Sequence, residues 1–356
     1  MLTKENFTAE HIRELQQNSK CDPSILERTL FAFGLLEALI RVDMPFIFKG
    51  GTSLMLLLEH PRRLSTDIDI LVEPDTDLDS YLDAAAQVFP FVRQEEQPRA
   101  KHSGIEKRHF KFSYPSPMTG KEFYILLDVV FEANPYPSLV SRAIDNDLLH
   151  TEGEPLTVQL PSINCVLGDK LTAFAPHTTG IPLGIGKNME IIKQFYDVAT
   201  LLDEFTNFDE VTAAYHQVVR EEIAYRGGDI TPEEALRDTL NTALCIASRG
   251  KMQPDEYRLY VKAIRDLRDH IYAERYTPEV AARQAPRVIY AAACLLKNAP
   301  YQSISTPADY LREQYIGQSF MPLKYLKRID PLAYALTVEA DKIEASLLCV
   351  GRKAIR

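Results

Sequence analysis

The chain has 356 residues, 46% of them hydrophobic, which is enough for one large core or two moderate ones, and we expect two domains. Fifty acidic and forty basic residues give a net charge of −10, which excludes a broad nucleic-acid-binding surface and leaves local basic clusters as candidates. No run approaches the roughly 18 apolar residues of a membrane helix, and the amino terminus lacks the pattern of a secretion signal. The five cysteines are scattered without disulfide or metal spacing, so we expect a cytoplasmic protein with no membrane partner.

Two helices are predicted first, over residues 4–18 and 23–42, and the apolar stripe of the second is expected to cover one face of a sheet. A short strand, Phe46–Phe48, then leads into the turn Gly50–Ser53 and a short apolar helix, Leu54–Leu58. The turn therefore presents backbone amides at a helix start, which is the arrangement that binds phosphate. Most Gly-Gly pairs are only tight turns, so the sequence that follows decides between the two interpretations.

The next strand carries Asp67 and Asp69, which alternate with Ile68 and Ile70. Side chains on a strand point to alternate faces, so both carboxylates lie on the same face. Carboxylate oxygens are ligands that Mg²⁺ prefers. A glycine turn, a short helix and then Asp-x-Asp on a strand thus predict a triphosphate beside a metal site rather than a plain α/β core.

A helix near Asp75–Phe89 is followed by two strands, about Arg108–Tyr114 and Glu122–Phe131, which predict a hairpin joined to the same sheet. Asp128 is the one charge inside the apolar run of the second strand. A carboxylate in that position needs a metal or a cation as partner. The alternative is an aspartate at the strand end that caps a loop.

A short strand at Leu156–Leu160 precedes a helix that runs from Pro161 to Phe174. Lys170 falls within the apolar stripe of that helix and therefore needs an anion, unless its side chain snorkels to solvent. The glycine-rich loop of residues 177–187 ends at Lys187, which is a candidate for a second phosphate contact.

The helix of residues 189–205 contains Lys193 and Asp197, which on spacing alone would form an ordinary exposed i,i+4 pair. Beyond it the sequence carries only helical periodicity, so we predict a domain at residues 1–205 and an all-α domain at 206–356. The fold class is therefore α+β, a mixed sheet flanked by helices and followed by helices alone.

Two basic clusters are candidates for local nucleic-acid contacts. The first spans residues 99–111, where an ordinary solvated hairpin is the competing interpretation, and the second is weaker. Their basic residues are Arg99, Lys101, Lys107, Arg108 and Lys111 in the first and Lys324, Lys327 and Arg328 in the second.

These motifs resemble the signature of the nucleotidyltransferase superfamily. More narrowly, KGGTSL at Lys49–Leu54 and RLSTDID at Arg63–Asp69 resemble the AbiEii/AbiGii toxin family, and KQFYD, which contains Lys193 and Asp197, resembles that family's fourth motif. The resemblance covers about the first 205 residues and implies a nucleotidyltransferase-like fold.

The resemblance also implies roles for individual residues. Asp67, Asp69 and Asp128 would be catalytic metal ligands, with Asp128 also a candidate base, and Asp197 would be catalytic as well. The nucleotide would be bound by Lys49, Gly50, Gly51, Thr52, Ser53, Arg63, Ser65, Lys170, Lys187 and Lys193.

The expected activity is Mg²⁺-dependent transfer of a nucleoside monophosphate from an NTP to an acceptor. By resemblance the chain would be the toxin of a toxin–antitoxin or phage-defence pair, with an antitoxin encoded nearby and the 3′ end of tRNA as a candidate acceptor. The alternatives are transfer to a protein hydroxyl or a small molecule, and nucleotide binding without turnover.

Overall fold

The computed structural model describes residues 1–19, 21–98, 106–226, 229–272 and 274–350. By its internal contacts the chain forms two compact units, residues 1–162 with 269–275, and residues 163–268 with 276–356. None of the described helices is long and apolar enough to cross a membrane. Four cysteines are buried free thiols: Cys21, Cys165, Cys245 and Cys294.

The first unit contains four helices and seven strands among its described residues. The helices are α1 (Ala9–Ser19), α2 (Pro23–Arg41), α3 (Gly50–Leu57) and α4 (Leu78–Ala85). The strands are β1 (Ile47–Lys49), β2 (Asp67–Val72), β3 (Arg93–Glu96), β4 (Glu106–Pro115), β5 (Glu122–Phe131), β6 (Leu139–Ala143) and β7 (Thr157–Pro161).

Five of these strands form one mixed sheet in the order β1-β2-β5-β4-β3, while β6 and β7 form a separate pair. In the larger sheet β2 and β5 run parallel and the other neighbours are antiparallel. The predicted hairpin is therefore confirmed as β4 and β5. The sequence did not predict β3, because the polar sequence RQEE of this edge strand has no apolar alternation.

One face of the sheet is apolar and forms the core with α2, as predicted. Ile68 and Ile70 of β2, Leu127 of β5 and Phe110 of β4 are at most 1% exposed. The predicted start of α2 is also confirmed, because the Asp22 carboxylate accepts hydrogen bonds from the first amides of the helix. With its apolar face closed, the sheet presents Asp67 and Asp69 on the other.

The described residues of the second unit form helices and no strands. They are α5 (Ile163–Ala173), α6 (Asn188–Leu201), α7 (Phe208–Arg226), α8 (Pro232–Ala247), α9 (Pro254–Leu267), α10 (Pro278–Lys297), α11 (Leu326–Ile329) and α12 (Pro331–Val350), with short 3₁₀ turns between them. The predicted fold class, a mixed sheet with helices followed by helices alone, is confirmed. The contacts group α5 and α6 with the later helices; the predicted domain boundary at residue 205 stays a prediction.

Candidate active site

The glycine turn lies directly against the first carboxylate pair. Gly50 has φ +78°, a left-handed conformation, and a Cβ atom built there would lie 1.9 Å from Oδ2 of Asp69. No side chain larger than hydrogen fits at that position without moving the carboxylate. Gly50 therefore allows Asp69 to approach the amino terminus of α3.

Gly51 brings two further predicted residues to the turn. A Cβ atom at Gly51 would lie 2.7 Å from Nη2 of Arg63 and 2.9 Å from Oγ of Ser65. The Arg63 side chain is buried, so its charge is held beside the turn rather than in solvent. Gly50, Gly51, Arg63, Ser65 and Asp69 are thus neighbours in the structure.

Thr52 and Ser53 are fully buried, and both hydroxyls are used within the protein. The Thr52 hydroxyl donates to the carbonyl oxygen of Asp67 at 2.6 Å, and the Ser53 hydroxyl donates to that of Gly50 at 2.8 Å. The first bond fixes α3 to the start of β2, and the second stabilises the turn itself. Their predicted contact with nucleotide stays a prediction.

A row of charged and polar residues crosses the sheet at one register position. Asp69 of β2 is opposite Lys49 of β1 on one side and Asp128 of β5 on the other, and Asp128 is opposite His109 of β4. Directly opposed residues have their side chains on the same face of a sheet. The register therefore places Asp69 and Asp128 on neighbouring strands, about 4.8 Å apart in the backbone.

Two cationic or polar side chains outside the predicted set hold these carboxylates. Nη2 of Arg28, from α2, donates to Oδ1 of Asp67 at 3.0 Å. Nδ1 of His109 lies 2.6 Å from Oδ1 of Asp128, and it is the donor because an ionised carboxylate only accepts. The half-buried carboxylate of Asp128 thus has a partner in the middle of β5, and the alternative of a loop cap at the strand end is wrong.

The sequence contains a feature that points to each of the two partners, Arg28 and His109. The strands of the hairpin pair so that residue numbers add to 237, and that sum places His109 opposite Asp128. The one positive charge in the apolar helix 23–40 is Arg28. Neither signal was sufficient without the register and the packing of α2 on the sheet.

The predicted Mg²⁺ ligands are the right type but are not arranged around one point. Among the described residues, no three His, Cys, Asp or Glu side chains form a group that could hold a metal ion. The ion pair with Arg28 and the bond with His109 engage Asp67 and Asp128, respectively. The donor chemistry of the two carboxylates on one face of β2 is the kind that Mg²⁺ prefers.

The remaining predicted residues lie in the second unit. Nζ of Lys170 forms a 3.0 Å ion pair with Oδ2 of Asp197 and donates to Oε1 of Gln194 at 2.9 Å. Lys170 is therefore neither snorkelling nor without an anion. Asp197 is 1% exposed, so the alternative of an exposed pair with Lys193 is wrong; Lys193 pairs with Glu190 at 3.0 Å. Lys187 is exposed where α6 begins.

One cation of the basic hairpin, Arg108, is neutralised by acidic side chains. Arg108 forms 2.8 Å ion pairs with both Asp79 and Glu96, and the hydrogen bond to Glu96 raises the pKa of Arg108. Nζ of Lys111 lies 4.5 Å from the ring centroid of Tyr124. Arg99 and Lys101 lie outside the described residues.

The glycine turn packs against carboxylates on the open face of the mixed sheet, so the start of a helix lies beside candidate metal ligands. The family described as nucleotidyl transferase AbiEii toxin, type IV TA system, matches residues 35–287, and the chain belongs to this family. No curated protein matches the chain.

Two solved structures from Helicobacter pylori are similar to the chain, JHP933 and a putative nucleotidyltransferase. They are 12% and 13% identical, each alignment covers 76% of this chain, and they are covered to 93% and 96% of their own lengths. The TM-score is 0.43 in both cases.

Proposed function

We propose that this chain transfers a nucleoside monophosphate from an NTP to an acceptor hydroxyl in a Mg²⁺-dependent reaction, and that its action as a toxin depends on this transfer. The observation that supports the proposal most is the contact of Gly50 with Asp69, where a Cβ atom would lie 1.9 Å from the carboxylate. This close approach supports the proposal, because the start of a helix favours a phosphate and a carboxylate suits a metal.

The triphosphate would be bound at the amino terminus of α3. The first amides of a helix have no partner within the helix, and the helix dipole favours an anion there. Arg63 adds a buried positive charge beside Gly51, and Ser65 adds a hydroxyl. Lys49, which precedes the first residue of α3, adds a second cation at the same end.

Asp67 and Asp69 would hold Mg²⁺, with Asp128 as a further ligand or as the base. Bound Mg²⁺ would lower the pKa of the acceptor hydroxyl and neutralise the charge of the departing pyrophosphate. Arg28 would hold Asp67 until the metal binds. Its ion pair keeps the like charges of the cluster compensated in the protein without metal.

In the reaction, the acceptor oxygen attacks the α-phosphorus of the NTP. The new oxygen–phosphorus bond forms while the bond to the β-phosphate oxygen breaks, and pyrophosphate leaves. With Asp128 as the base, the acceptor proton passes to this residue, whose Oδ1 is held by His109. The second oxygen of Asp128 has no partner among the described residues and is the atom that accepts the proton.

The acceptor we propose is RNA, with the 3′ end of tRNA as the first candidate. Membership of a toxin–antitoxin family implies an antitoxin as partner, and we propose that it is encoded nearby and that both proteins act in the cytoplasm. Lys170, Lys187 and Lys193 are proposed to support nucleotide binding and Asp197 to be catalytic, although the ion pair between Lys170 and Asp197 already satisfies both charges.

The test is to incubate the purified protein with each α-labelled NTP, Mg²⁺, and the RNA and protein fractions of a bacterial extract. We expect one RNA fraction to become labelled and pyrophosphate to be released in equal amount. Asp69→Asn should reduce labelling at least about a thousandfold, because it removes a charge that the reaction needs.

The matched control is Asp75→Asn, which removes the same charge from an exposed residue just after β2. It should label as well as the wild type. Label in the protein fraction instead would favour a protein hydroxyl as acceptor. Equal labelling by Asp69→Asn and the wild type would refute the assigned site.

A further inference from the structure

A concave basic surface lies on the second unit, around the ring of Tyr325. It borders a cavity of ≈610 Å³ that is lined by Leu311, Lys324, Tyr325, Lys327 and Arg328. We define the Tyr325 patch as Tyr325 with five cations, Arg249, Lys251, Lys324, Lys327 and Arg328. The assigned reaction uses none of these residues.

Two segments that are distant in sequence build the patch. Arg249 and Lys251 belong to the turn after α8, whereas the other cations belong to α11 and the 3₁₀ turn before it. The Tyr325 hydroxyl donates to the carbonyl oxygen of Ala247 at 2.8 Å and so ties the segments together. Arg249 and Lys251 lie 6.0 Å and 5.9 Å from the centroid of the ring.

Most of these cations lack an acidic partner. Lys251, Lys324, Lys327 and Arg328 form no ion pair with any described residue, and only Arg249 has one, with Glu279 at 3.6 Å. Asp330, the nearest acid in sequence, accepts the amide hydrogen of Ala333. This contrasts with the hairpin residue Arg108, which is neutralised by two acids.

In a protein of net charge −10, a local group of cations with one acidic partner among them is an exception, and it favours an anionic partner. We propose that the Tyr325 patch binds single-stranded RNA, with the cations on phosphates and a base stacked at Tyr325. A ring inside a cationic concave surface is the combination by which proteins hold single strands. This RNA-binding surface would dock the acceptor of the proposed reaction. The choice of RNA over DNA rests on the proposed function.

The experiment measures binding of a fluorescein-labelled single-stranded RNA of about 20 nucleotides by anisotropy, without NTP, over a salt series. Lys324→Glu/Arg328→Glu should weaken binding at least about tenfold at 0.1 M salt and reduce the salt slope by about two, since two phosphate contacts are lost. The matched control is Arg220→Glu/Lys262→Glu, which makes the same charge change at exposed residues of α7 and α9.

The ring is tested separately. Tyr325→Phe keeps the stacking surface and loses only the bond to Ala247, so it should bind more tightly than Tyr325→Leu, which should weaken binding by about fivefold or more. Melting curves identify any variant that fails to fold. If Tyr325→Leu does not fold, Tyr325→Phe and the charge variants still test the patch.

The proposal is overturned if Lys324→Glu/Arg328→Glu binds RNA like the wild type, or if the control pair loses as much affinity. The RNA proposal is also overturned if Lys324→Glu/Arg328→Glu binds RNA normally but no longer binds acidic lipid vesicles or a co-purifying acidic protein. That result would identify the lipid or the protein as the partner. Because binding is measured without NTP, a protein that binds RNA but transfers nothing would contradict the proposed function and leave this inference intact.

Discussion

At the scale of single residues, Gly50 shows how a missing side chain shapes the site. Its φ of +78° alone would cost an alanine about 1–2 kcal/mol, since L-residues avoid that conformation. The Cβ atom would in addition meet the Asp69 carboxylate at 1.9 Å. The two effects can be separated, because Gly120 has a similar φ of +68° and open space around it.

We therefore predict that Gly50→Ala abolishes nucleotide transfer, whereas Gly120→Ala transfers normally. Thermal melts should show a loss of stability in both variants, with the larger loss at Gly50. The measurement is labelling of the acceptor at equal protein concentration. A Gly50→Ala protein as active as Gly120→Ala would show that the turn does not position Asp69.

His177 allows a prediction about pH. Burial lowers the pKa of His177, but its 2.7 Å bond to Asp238 and its proximity to Glu256 outweigh burial, so the pKa lies above the ordinary 6.5. A raised pKa in the folded state stabilises the protein fully below pH 6.5, and this contribution is lost as pH rises through the folded-state pKa.

The melting temperature of the wild type should consequently fall more steeply above pH 6.5 than that of His177→Gln. His216→Gln is the control, because burial and Arg220 lower the pKa of His216 and its contribution has the opposite sign. Parallel curves for the wild type and His177→Gln would contradict the prediction.

At the scale of helices and strands, the sequence predicted the sheet well where apolar alternation was strong. Strand β2, its two faces and the hairpin of β4 and β5 follow from side-chain alternation and one turn. Edge strand β3 did not follow, because its polar residues lack that pattern. For the same reason the carboxylates of Asp67 and Asp69 were predictable, while their cationic neighbours depended on tertiary packing.

In the pair of Lys170 and Asp197, the sequence predicted the inward position of Lys170 but not the burial of Asp197. Lys170 lies on the apolar stripe of α5, but Asp197 lies off the stripe of α6. Helix α6 packs against α5, α9 and α10, so its buried surface is wider than one stripe and includes Asp197. Contacts with several helices are not encoded in the periodicity of one.

From this ion pair we predict that the main effect of Lys170→Ala is a loss of stability rather than a loss of nucleotide binding. Removal of one partner leaves the other charge buried, at a cost of about 3–5 kcal/mol. Lys170→Met/Asp197→Leu should recover most of that loss, which a denaturant melt would measure. If Lys170→Ala melts like the wild type but binds NTP weakly, Lys170 contacts the nucleotide directly.

At the scale of the whole molecule, the charges are unevenly distributed. The net charge is −10, yet the cations of the Tyr325 patch have few acidic partners. Nonspecific binding to cellular RNA is therefore opposed over most of the surface and favoured locally. A toxin of this kind would act through chemistry on a selected acceptor rather than through sequestration of RNA.

Expression in cells tests that distinction. Induced expression of the wild type in a bacterial host should stop growth, and so should expression of Asp75→Asn, whereas Asp69→Asn at the same soluble level should leave growth unchanged. Asp69→Asn retains the whole Tyr325 patch, so a toxic effect of binding alone would persist in it. Growth of cells that also express the neighbouring gene should recover. Equal growth arrest by Asp69→Asn would mean that binding, not transfer, makes the protein toxic.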